Sequence, residues 1–207
     1  MANYEPLASK YRPKSLDEFI GQQHLVGANG PIRKFLETGN VPSMIFWGPP
    51  GTGKTTLAYI ISLNLYYDFY KMQAVNSGKE ELRKILKIAL NNQKYNRKTM
   101  LFLDEIHRWN KAQQDTLLPY VEKGVITLIG ATTENPSFTI ISPLLSRTKV
   151  FVFNQHTKED IATLLKRVIK KEYPKYKINK KVIDLIAELA NGDMRSALNI
   201  LEMSITL

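Results

Sequence analysis

The stretch from Gly48 to Thr55 reads Gly-Pro-Pro-Gly-Thr-Gly-Lys-Thr, a combination of residue types and spacing that can bind phosphate. It satisfies the pattern G-x-x-x-x-G-K-[ST] of nucleotide-binding loops. Glycines let such a loop curl until its backbone N–H groups point at the phosphates. Lys54 would reach the β- and γ-phosphates, and the Thr55 hydroxyl would ligate Mg²⁺. The sequence therefore predicts a nucleotide site formed by Gly48, Pro49, Pro50, Gly51, Thr52, Gly53, Lys54, Thr55 and Thr56.

The residues on either side of this loop have the patterns of a strand and a helix. The apolar run Met44–Trp47 precedes the loop, and Leu57, Ala58, Ile60 and Ile61 follow it at helical spacing. A helix that starts at the loop adds free N–H groups and the positive end of its dipole to the phosphate site. This context favours a true phosphate loop over a glycine-rich turn that matches the pattern by accident.

A second candidate site lies where the apolar stretch Met100–Leu103 ends in two acids, Asp104 and Glu105. In open α/β sheets, ligands bind at the carboxyl ends of the strands. Asp104 would hold the Mg²⁺ shell, as the second acidic motif of phosphate-loop ATPases does, and Glu105 is placed to polarise a water for attack on the γ-phosphate. The alternative is a pair of solvated acids at a strand end.

His107 completes the string Asp-Glu-Ile-His, which also occurs in one class of helicases. The chain has only three histidines, and none lies at ligand spacing to this one. We therefore expect His107 to be a surface residue or a residue that supports the site from behind, rather than a metal ligand.

The composition excludes several classes of protein. The 207 residues include no cysteine, which excludes disulfides, thiolate metal sites and cysteine nucleophiles. Met1–Pro6 lacks the pattern of a secretory signal, and no apolar run approaches the ~20 residues of a membrane span. The formal net charge of +10 is typical of a protein with a polyanionic partner such as nucleic acid. A Lys-rich proteome explains the same charge, so both interpretations stay open.

From Ser43 onward the chain alternates strand and helix patterns. We predict strands over 43–47, 69–75, 99–103, 125–130 and 149–153, and helices over 54–66, 78–92 and 110–122. Ser77 and Glu80 form a capping box for the second of these helices, and Pro119 should kink the third. The alternation predicts a parallel sheet with helices on both faces.

After about Gln155 the pattern becomes purely helical. Thr157 with Asp160 predicts an N-terminal cap, a second helix over about 180–190 ends at Asn191-Gly192, and Asp193 can cap a third. We therefore expect a nucleotide-binding domain over 1–155 and a helical domain over 156–207. The chain stops inside an apolar helical run, which predicts a fragment whose remainder continues the helical domain.

Several further segments, in order along nearly the whole chain, resemble those of clamp-loader-type AAA+ ATPases. Ala8–Gln22 resembles the base-binding segment of that family, and Leu128–Phe138 resembles its sensor 1 strand. Pro143–Arg147 resembles the motif that carries the arginine finger. Gly192–Arg195, with Ala197–Asn199, resembles sensor 2. Trp109–Asp115 and Ala131–Phe138 narrow the resemblance to the replication-associated recombination protein A family, whose eukaryotic relative is the Werner-interacting protein. The implied fold is α/β, a five-stranded parallel phosphate-loop AAA+ core with a small C-terminal α-helical lid.

The resemblance also implies roles for single residues around ATP and Mg²⁺. Thr133 would position the attacking water, Arg195 would contact the phosphates of the chain's own ATP, and Arg147 would complete the site of a neighbouring subunit. A guanidinium suits the last two roles because it is planar, always charged and able to spread over developing phosphoryl charge. Gln73 aligns with the polar switch residue that restrains the catalytic Glu in relatives. The residues that would flank the adenine are Arg12, Pro13, Ile20 and Gly21.

As partners, the resemblance implies DNA at stalled or gapped replication forks, replication proteins such as single-strand binding protein, and further copies of the chain. It places such a protein in the cytoplasm, associated with the nucleoid.

Two departures from the family stand out. Sensor 1 is Thr133 where many clamp loaders have Asn, and family members continue well past Leu207 into a helical oligomerisation region. For the present chain we therefore expect a monomer with weak ATPase activity.

Three other functions compete with a DNA-directed ATPase. A superfamily 2 helicase would need a second sheet domain, for which no sequence remains. A small-molecule kinase would leave the sensor segments unexplained. A nucleotide-gated assembly subunit that binds ATP without turnover could dispense with the catalytic acid, so Glu105 argues against it. Without a neighbour's Arg147, however, an isolated chain would behave in this way.

Overall fold

The computed structural model of the chain describes residues 5–75 and 78–206. Five strands form one sheet in the order β2-β3-β4-β1-β5, and every neighbouring pair is parallel. The strands are β1 Met44–Trp47, β2 Asp68–Gln73, β3 Thr99–Asp104, β4 Thr127–Thr132 and β5 Lys149–Val152. The predicted parallel α/β fold is confirmed.

Helices precede, connect and follow these strands. Up to β3 they are α1 Leu7–Lys10, α2 Gln23–Val26, α3 Pro31–Thr38, α4 Lys54–Asn64 and α5 Lys79–Lys94. A 3-10 turn at Ile106–Arg108, α6 Lys111–Asp115 and α7 Leu118–Glu122 lie between β3 and β4, and α8 Pro136–Thr139 and α9 Ser142–Leu145 lie between β4 and β5. The chain then continues as α10 Lys158–Glu172, α11 Lys180–Leu189 and α12 Met194–Thr206.

Helices cover both faces of the sheet, as a parallel sheet requires. Ile32 of α3 and Leu57 of α4 are fully buried on one face together with Phe46 and Phe102. On the other face, Leu86 and Ala89 of α5 pack with Leu101 and Leu103 of β3. Because β3 buries side chains on both faces, its sequence is a continuous apolar run rather than an alternating one.

Strand β4 begins two residues later than the sequence predicts. Val125 and Ile126 are apolar and buried, but their N–H groups donate to the Tyr120 carbonyl oxygen, at 2.9 and 3.3 Å. The two residues therefore belong to the turn that ends α7, and the parallel ladder starts at Thr127.

The predicted helix over 110–122 is two short helices in the structure. Asn110 and Gln113 form a capping box at the start of α6, and Pro119 lies in the first turn of α7. Proline cannot donate a backbone hydrogen bond. The helix is therefore interrupted before Pro119 rather than kinked at it. Ser77, of the predicted capping box, lies outside the described residues; α5 begins at Lys79.

The last three helices form a bundle with its own buried cluster. Leu165 of α10, Ile186 of α11 and Leu198 of α12 belong to this cluster, and so does Leu7 from the N-terminal helix α1. Thr157 and Asp160 form the predicted capping box at the start of α10. The division of the chain at residue 155 stays a prediction, and α1 lies with the later helices in space.

Gln22 connects the N-terminal segment to the chain just after β5. Its side-chain amide donates to the Asn154 carbonyl oxygen at 2.6 Å and its Oε1 accepts from the Asn154 N–H at 3.0 Å. Both bonds are partly buried, so they satisfy backbone groups that water reaches poorly. Across the described residues, no helix has the length and apolar character needed to cross a membrane.

Candidate nucleotide-binding site

The carboxyl ends of four parallel strands surround a cavity of about 430 Å³. The phosphate loop leaves β1, the two acids end β3, and Thr132 and Thr133 end β4. The residues that line the cavity are Pro50, Gly51, Thr52, Gly53, Lys54, Thr55, Gln73, Val75, Asp104, Glu105, Thr132, Thr133 and Arg195. Segments more than 140 residues apart in sequence thus meet in one polar cavity.

Two of its own side chains and one backbone hydrogen bond to β4 hold the phosphate loop in place. The Lys54 ammonium donates to the carbonyl oxygens of Gly48 and Pro49, at 2.7 and 2.6 Å. The Thr52 hydroxyl donates to the Pro49 carbonyl oxygen at 2.8 Å, and the Gly48 N–H donates to the Thr132 carbonyl oxygen at 3.1 Å. Gly48 and Pro49 therefore support the loop from behind and do not line the cavity.

The charged side chain of Lys54 is partly buried. Burial lowers the pKa of Lys54 to about 8; Asp104 and Asp193 counteract this effect, and Arg195 adds to it. The ammonium is thus mostly protonated at pH 7 while being weakly hydrated. A poorly hydrated cation gains more from a phosphate than a hydrated one does.

The two acids have different backbone positions. Asp104 is the last residue of β3 and pairs in register with Gln73 of β2. Glu105 follows with φ of 55°, in the left-handed region, which turns the chain out of the strand into the 3-10 turn. Non-glycine residues rarely adopt this conformation, and those that do are often found at functional sites.

The residues present fit a magnesium ion bound together with a nucleotide. Thr55 and Asp104 both line the cavity and offer a hydroxyl and a carboxylate oxygen. Mg²⁺ prefers hard oxygen ligands, and one or two protein oxygens suffice when phosphates and water supply the rest.

A second, smaller cavity of about 100 Å³ adjoins the first, and Gly51, Gly53 and Arg195 line both. It lies between the phosphate loop, the N-terminal segment and α12. Of the residues expected at the base, Arg12, Pro13 and Ile20 line it, as do Thr56, Met194 and Leu198. Charged side chains, Glu18 and Arg167 among them, line it as well, so a base in this cavity would meet both apolar and polar groups.

Gly21 lies just outside the residues that line this second cavity. A Cβ added at Gly21 would come 2.6 Å from Nδ1 of His156, so the absence of a side chain allows the imidazole ring to approach. Its φ of 75° also favours glycine. Gly21 therefore shapes the cavity through His156.

Sequence reasoning did not foresee that Asp193 contacts the phosphate loop. Oδ1 of Asp193 accepts from the N–H groups of Arg195 and Ser196, at 2.8 and 3.0 Å, which is the predicted helix cap. A Cβ added at Gly51 would overlap the same carboxylate. The capping signal was visible in the sequence, but no local pattern shows that the cap rests on a loop some 140 residues earlier.

His107 is buried, so the surface alternative is wrong. Its side chain is 4 % exposed, Nδ1 lies 3.0 Å from Oγ1 of Thr132, and Nε2 lies 3.6 Å from Oε1 of Glu134. Thr132 precedes the expected sensor Thr133. His107 therefore supports the sensor segment from behind, which was the other alternative.

Arg147 lies away from both cavities. Its Nε is 2.6 Å from Oε1 of Glu122, and its Nη1 donates to the Pro143 carbonyl oxygen at 2.8 Å. The side chain is 40 % exposed. The structure thus brings Lys54, Asp104, Glu105, Thr133 and Arg195 together and leaves Arg147 outside.

Comparison with known proteins agrees with this geometry. Residues 44–156, from β1 to the residue before the cap of α10, match the ATPase family associated with various cellular activities (AAA). The chain belongs to the AAA family of ATPases.

Curated relatives are similar over nearly the whole chain. The replication-associated recombination protein A of Escherichia coli K12 is 47% identical over 97% of the chain and 46% of that protein. ATPase WRNIP1 of Dictyostelium discoideum is 43% identical over 97% of the chain and 24% of that protein. The resemblance to these AAA proteins is confirmed, and the chain spans about half the length of most of the curated relatives it matches.

Solved structures of an AAA protein share the fold. A single-residue variant of RuvB from Thermotoga maritima has a TM-score of 0.76 and 30% identity, covering 93% of the chain and 64% of that protein. The RuvB Holliday junction branch migration motor of the same organism has a TM-score of 0.75 and 29% identity, with the same coverage.

We predict that Gly51→Ala destabilises this AAA chain more than Gly39→Ala does. Both glycines have positive φ, 68° and 65°, but a Cβ at Gly39 would meet no atom within 4 Å. Gly39→Ala should cost only the backbone strain of about 1–2 kcal/mol, whereas Gly51→Ala should cost roughly 1–3 kcal/mol more through overlap with Asp193. Urea unfolding of the two variants measures the difference. Equal losses would show that the contact between Asp193 and the loop is not tight.

Proposed function

We propose that the chain is the catalytic part of an Mg-ATP-dependent ATPase that acts on DNA in replication fork maintenance and recombination. The observation that carries the proposal is the single cavity that Lys54, Asp104, Glu105, Thr133 and Arg195 line together. Lys54 would bind the phosphates, Asp104 would bind Mg²⁺ and Glu105 would polarise the water. Thr133 and Arg195 would act at the γ-phosphate. Phosphoryl transfer from a nucleoside triphosphate to water uses groups of these kinds.

In the proposed reaction, the adenine enters the smaller cavity and the triphosphate extends along the loop between β1 and α4. Lys54 and the N-terminus of α4 neutralise the phosphates. Bound Mg²⁺ would neutralise charge on the β- and γ-phosphates, with Thr55 and Asp104 as its protein ligands. Glu105 polarises the attacking water, and Thr133 orients it.

Arg195 would couple the nucleotide to the helical bundle. It lies in the first turn of α12 and lines both cavities. A guanidinium that contacts the γ-phosphate holds α12 against the core as long as that phosphate is present. Hydrolysis would remove the contact and free the bundle to move, which is the mechanical step we propose.

Work on DNA is supported by charge and by the relatives. The net charge is +10, and proteins of 43–47% identity carry the name of replication-associated recombination. As partners we propose single-stranded, forked or gapped DNA, single-strand binding protein and further copies of the chain. We propose that the protein works in the cytoplasm, associated with the nucleoid.

The position of Arg147 favours one alternative. Because it lies outside the chain's own site, the isolated chain would bind nucleotide as an assembly subunit and hydrolyse it negligibly. A branch-migration or clamp-loader type of subunit is a further form of this alternative, which the likeness to RuvB supports.

Glu105→Gln should keep ATP binding and stop hydrolysis, because the amide retains the size of the side chain but cannot polarise water. We expect a loss of at least about 100-fold in kcat with little change in nucleotide affinity. Phosphate release and fluorescent-nucleotide binding measure the two quantities. Exposed Glu37→Gln is the matched control and should change neither. A normal rate in Glu105→Gln would refute the assigned role.

A mixture of Lys54→Ala and Arg147→Ala chains should be more active than either variant alone. The first cannot use its own site and the second cannot complete its neighbour's, so only a mixed interface joins an intact site to an intact finger. The ATPase rate is measured against total concentration, on the 207 residues and on a chain of its relatives' length. Additive rates in the mixture would contradict action in trans.

Single-stranded or gapped DNA should raise the ATPase rate of the longer chain. The effect should fade as salt is added, because basic residues that neutralise phosphates release counterions. Duplex DNA without gaps is the control. A rate that is the same with and without each DNA would remove DNA from the proposal and leave the ATPase.

A further inference from the structure

Exposed tyrosines and basic side chains meet where β2 and β3 begin, at the edge of the sheet opposite the proposed nucleotide site. This strand-start patch consists of Tyr66, Lys94, Tyr95, Arg97 and Lys98. Tyr66 lies in the connection from α4 to β2, and the others lie at the end of α5 and in the turn that leads to β3. The two connections are neighbours, because Asp68 lies opposite Thr99 in the ladder and its N–H donates to the Lys98 carbonyl oxygen at 3.0 Å.

The two tyrosines of the patch leave their rings in water. Tyr66 is 94 % exposed and Tyr95 is 72 % exposed. Tyr66 also has φ of 54°, in the left-handed region, which bulky side chains rarely adopt. A large aromatic side chain that is exposed on a strained backbone contributes little to folding. Such a residue indicates a use outside the fold.

Asn92 holds the turn after α5 against the start of β2. Its carbonyl oxygen accepts from the N–H groups of Tyr95 and Arg97, at 2.9 and 3.0 Å. Its buried side-chain amide donates to Oδ2 of Asp68 at 2.8 Å and to Oγ1 of Thr99 at 3.0 Å. One side chain thus joins the turn to both strands. The patch is therefore preorganised, and the neighbouring Asp68 carboxylate is already engaged.

Positive charge along α5 leads to the patch. Residues 82–98 include six basic and no acidic side chains. All six are exposed, and they are Arg83, Lys84, Lys87, Lys94, Arg97 and Lys98. Among the described residues, no carboxylate forms an ion pair with any of them. Cations without partners in the chain attract a polyanion, whose bound counterions are released when they bind its phosphates.

The exposed rings decide which polyanion fits. In a duplex the faces of the bases are covered by their neighbours, whereas a single strand can turn its bases outward to stack on aromatic side chains. Flat rings next to cations match the alternation of bases and phosphates along such a strand. An acidic peptide would use the cations and leave the rings without a partner.

We propose that the strand-start patch binds single-stranded nucleic acid, with bases stacked on Tyr66 and Tyr95 and phosphates on Lys94 and Arg97. The inference deepens the proposed function, because it gives the proposed DNA partner a place on this chain. Strand β3 is six residues long, so about 20 Å of sheet separates the patch from the nucleotide cavity. Nucleic acid and ATP should therefore bind without competing.

The test compares three labelled probes by fluorescence anisotropy on the 207-residue chain. They are oligo(dT), an abasic deoxyribose-phosphate oligomer of the same length, and duplex DNA. The wild type should bind oligo(dT) more tightly than the abasic oligomer, by roughly fivefold or more for each stacked base. A Tyr66→Asn, Tyr95→Ser double variant should bind the two equally. Asparagine tolerates the left-handed region, so the first substitution adds no backbone strain.

Control variants separate stacking from charge. Phe138→Ser removes another exposed aromatic ring, beyond the carboxyl end of β4, and should change no affinity. Arg97→Ala should weaken all three probes by a similar factor and lower the salt slope of the affinity by about 0.7. Lys166→Ala, exposed on α10, should leave that slope unchanged.

The outcomes separate the patch from the proposed function. A wild type that binds oligo(dT) no more tightly than the abasic oligomer or the duplex would overturn the stacking role, and so would a double variant that keeps the preference. Either result leaves a DNA-directed ATPase standing. A wild type that binds no probe would overturn the patch together with the DNA part of the proposed function. Calorimetry of ATP binding to the wild type decides the nucleotide site separately.

The comparison of probes on the wild type needs no variant. It decides even if the double variant does not fold.

Discussion

The parallel direction of all five strands is the constraint from which the site follows. Strands that run the same way end at the same edge, so the residues after β1, β3 and β4 meet there although they lie far apart in sequence. Register makes the meeting specific: Trp47 lies opposite Thr132, and Gln73 opposite Asp104. The connection after β1 is the phosphate loop, and its neighbour β4 accepts the first loop hydrogen bond, from Gly48 to Thr132.

Close contacts at glycines join the helical bundle to this edge. Asp193 rests on Gly51 and His156 on Gly21, at distances that a Cβ would not allow. Asp193 also caps the helix that carries Arg195, so one carboxylate sets both the start of that helix and its distance from the loop. A shift of the phosphate loop on nucleotide binding would therefore displace the helical bundle through this direct contact, and no chain of contacts through the core is needed.

Patterns that depend on neighbours in sequence were sufficient for most of the fold. The phosphate loop, the apolar run before Asp104 and the Thr157 cap are local signals, and each lies where it was expected. The predicted start of β4 is two residues too early. Val125 and Ile126 are apolar and buried like strand residues, but their N–H groups donate to the Tyr120 carbonyl oxygen, which the sequence pattern does not reveal. The burial of His107 and the contacts of His156 and Asp193 depend on elements distant in sequence, so no local signal could show them.

The two arginines of the proposed mechanism differ in what holds them. Arg195 is fixed by the start of α12 and faces both cavities, so its position follows from the chain's own fold. Arg147 is held by Glu122 in an ion pair whose side chains are 40 % and 44 % exposed. Such exposed pairs contribute about 0–1 kcal/mol, so little free energy opposes the transfer of this guanidinium to an anion on another molecule. A triphosphate in a neighbouring chain is a stronger partner than Glu122, and this difference would favour assembly when the neighbour holds ATP over ADP.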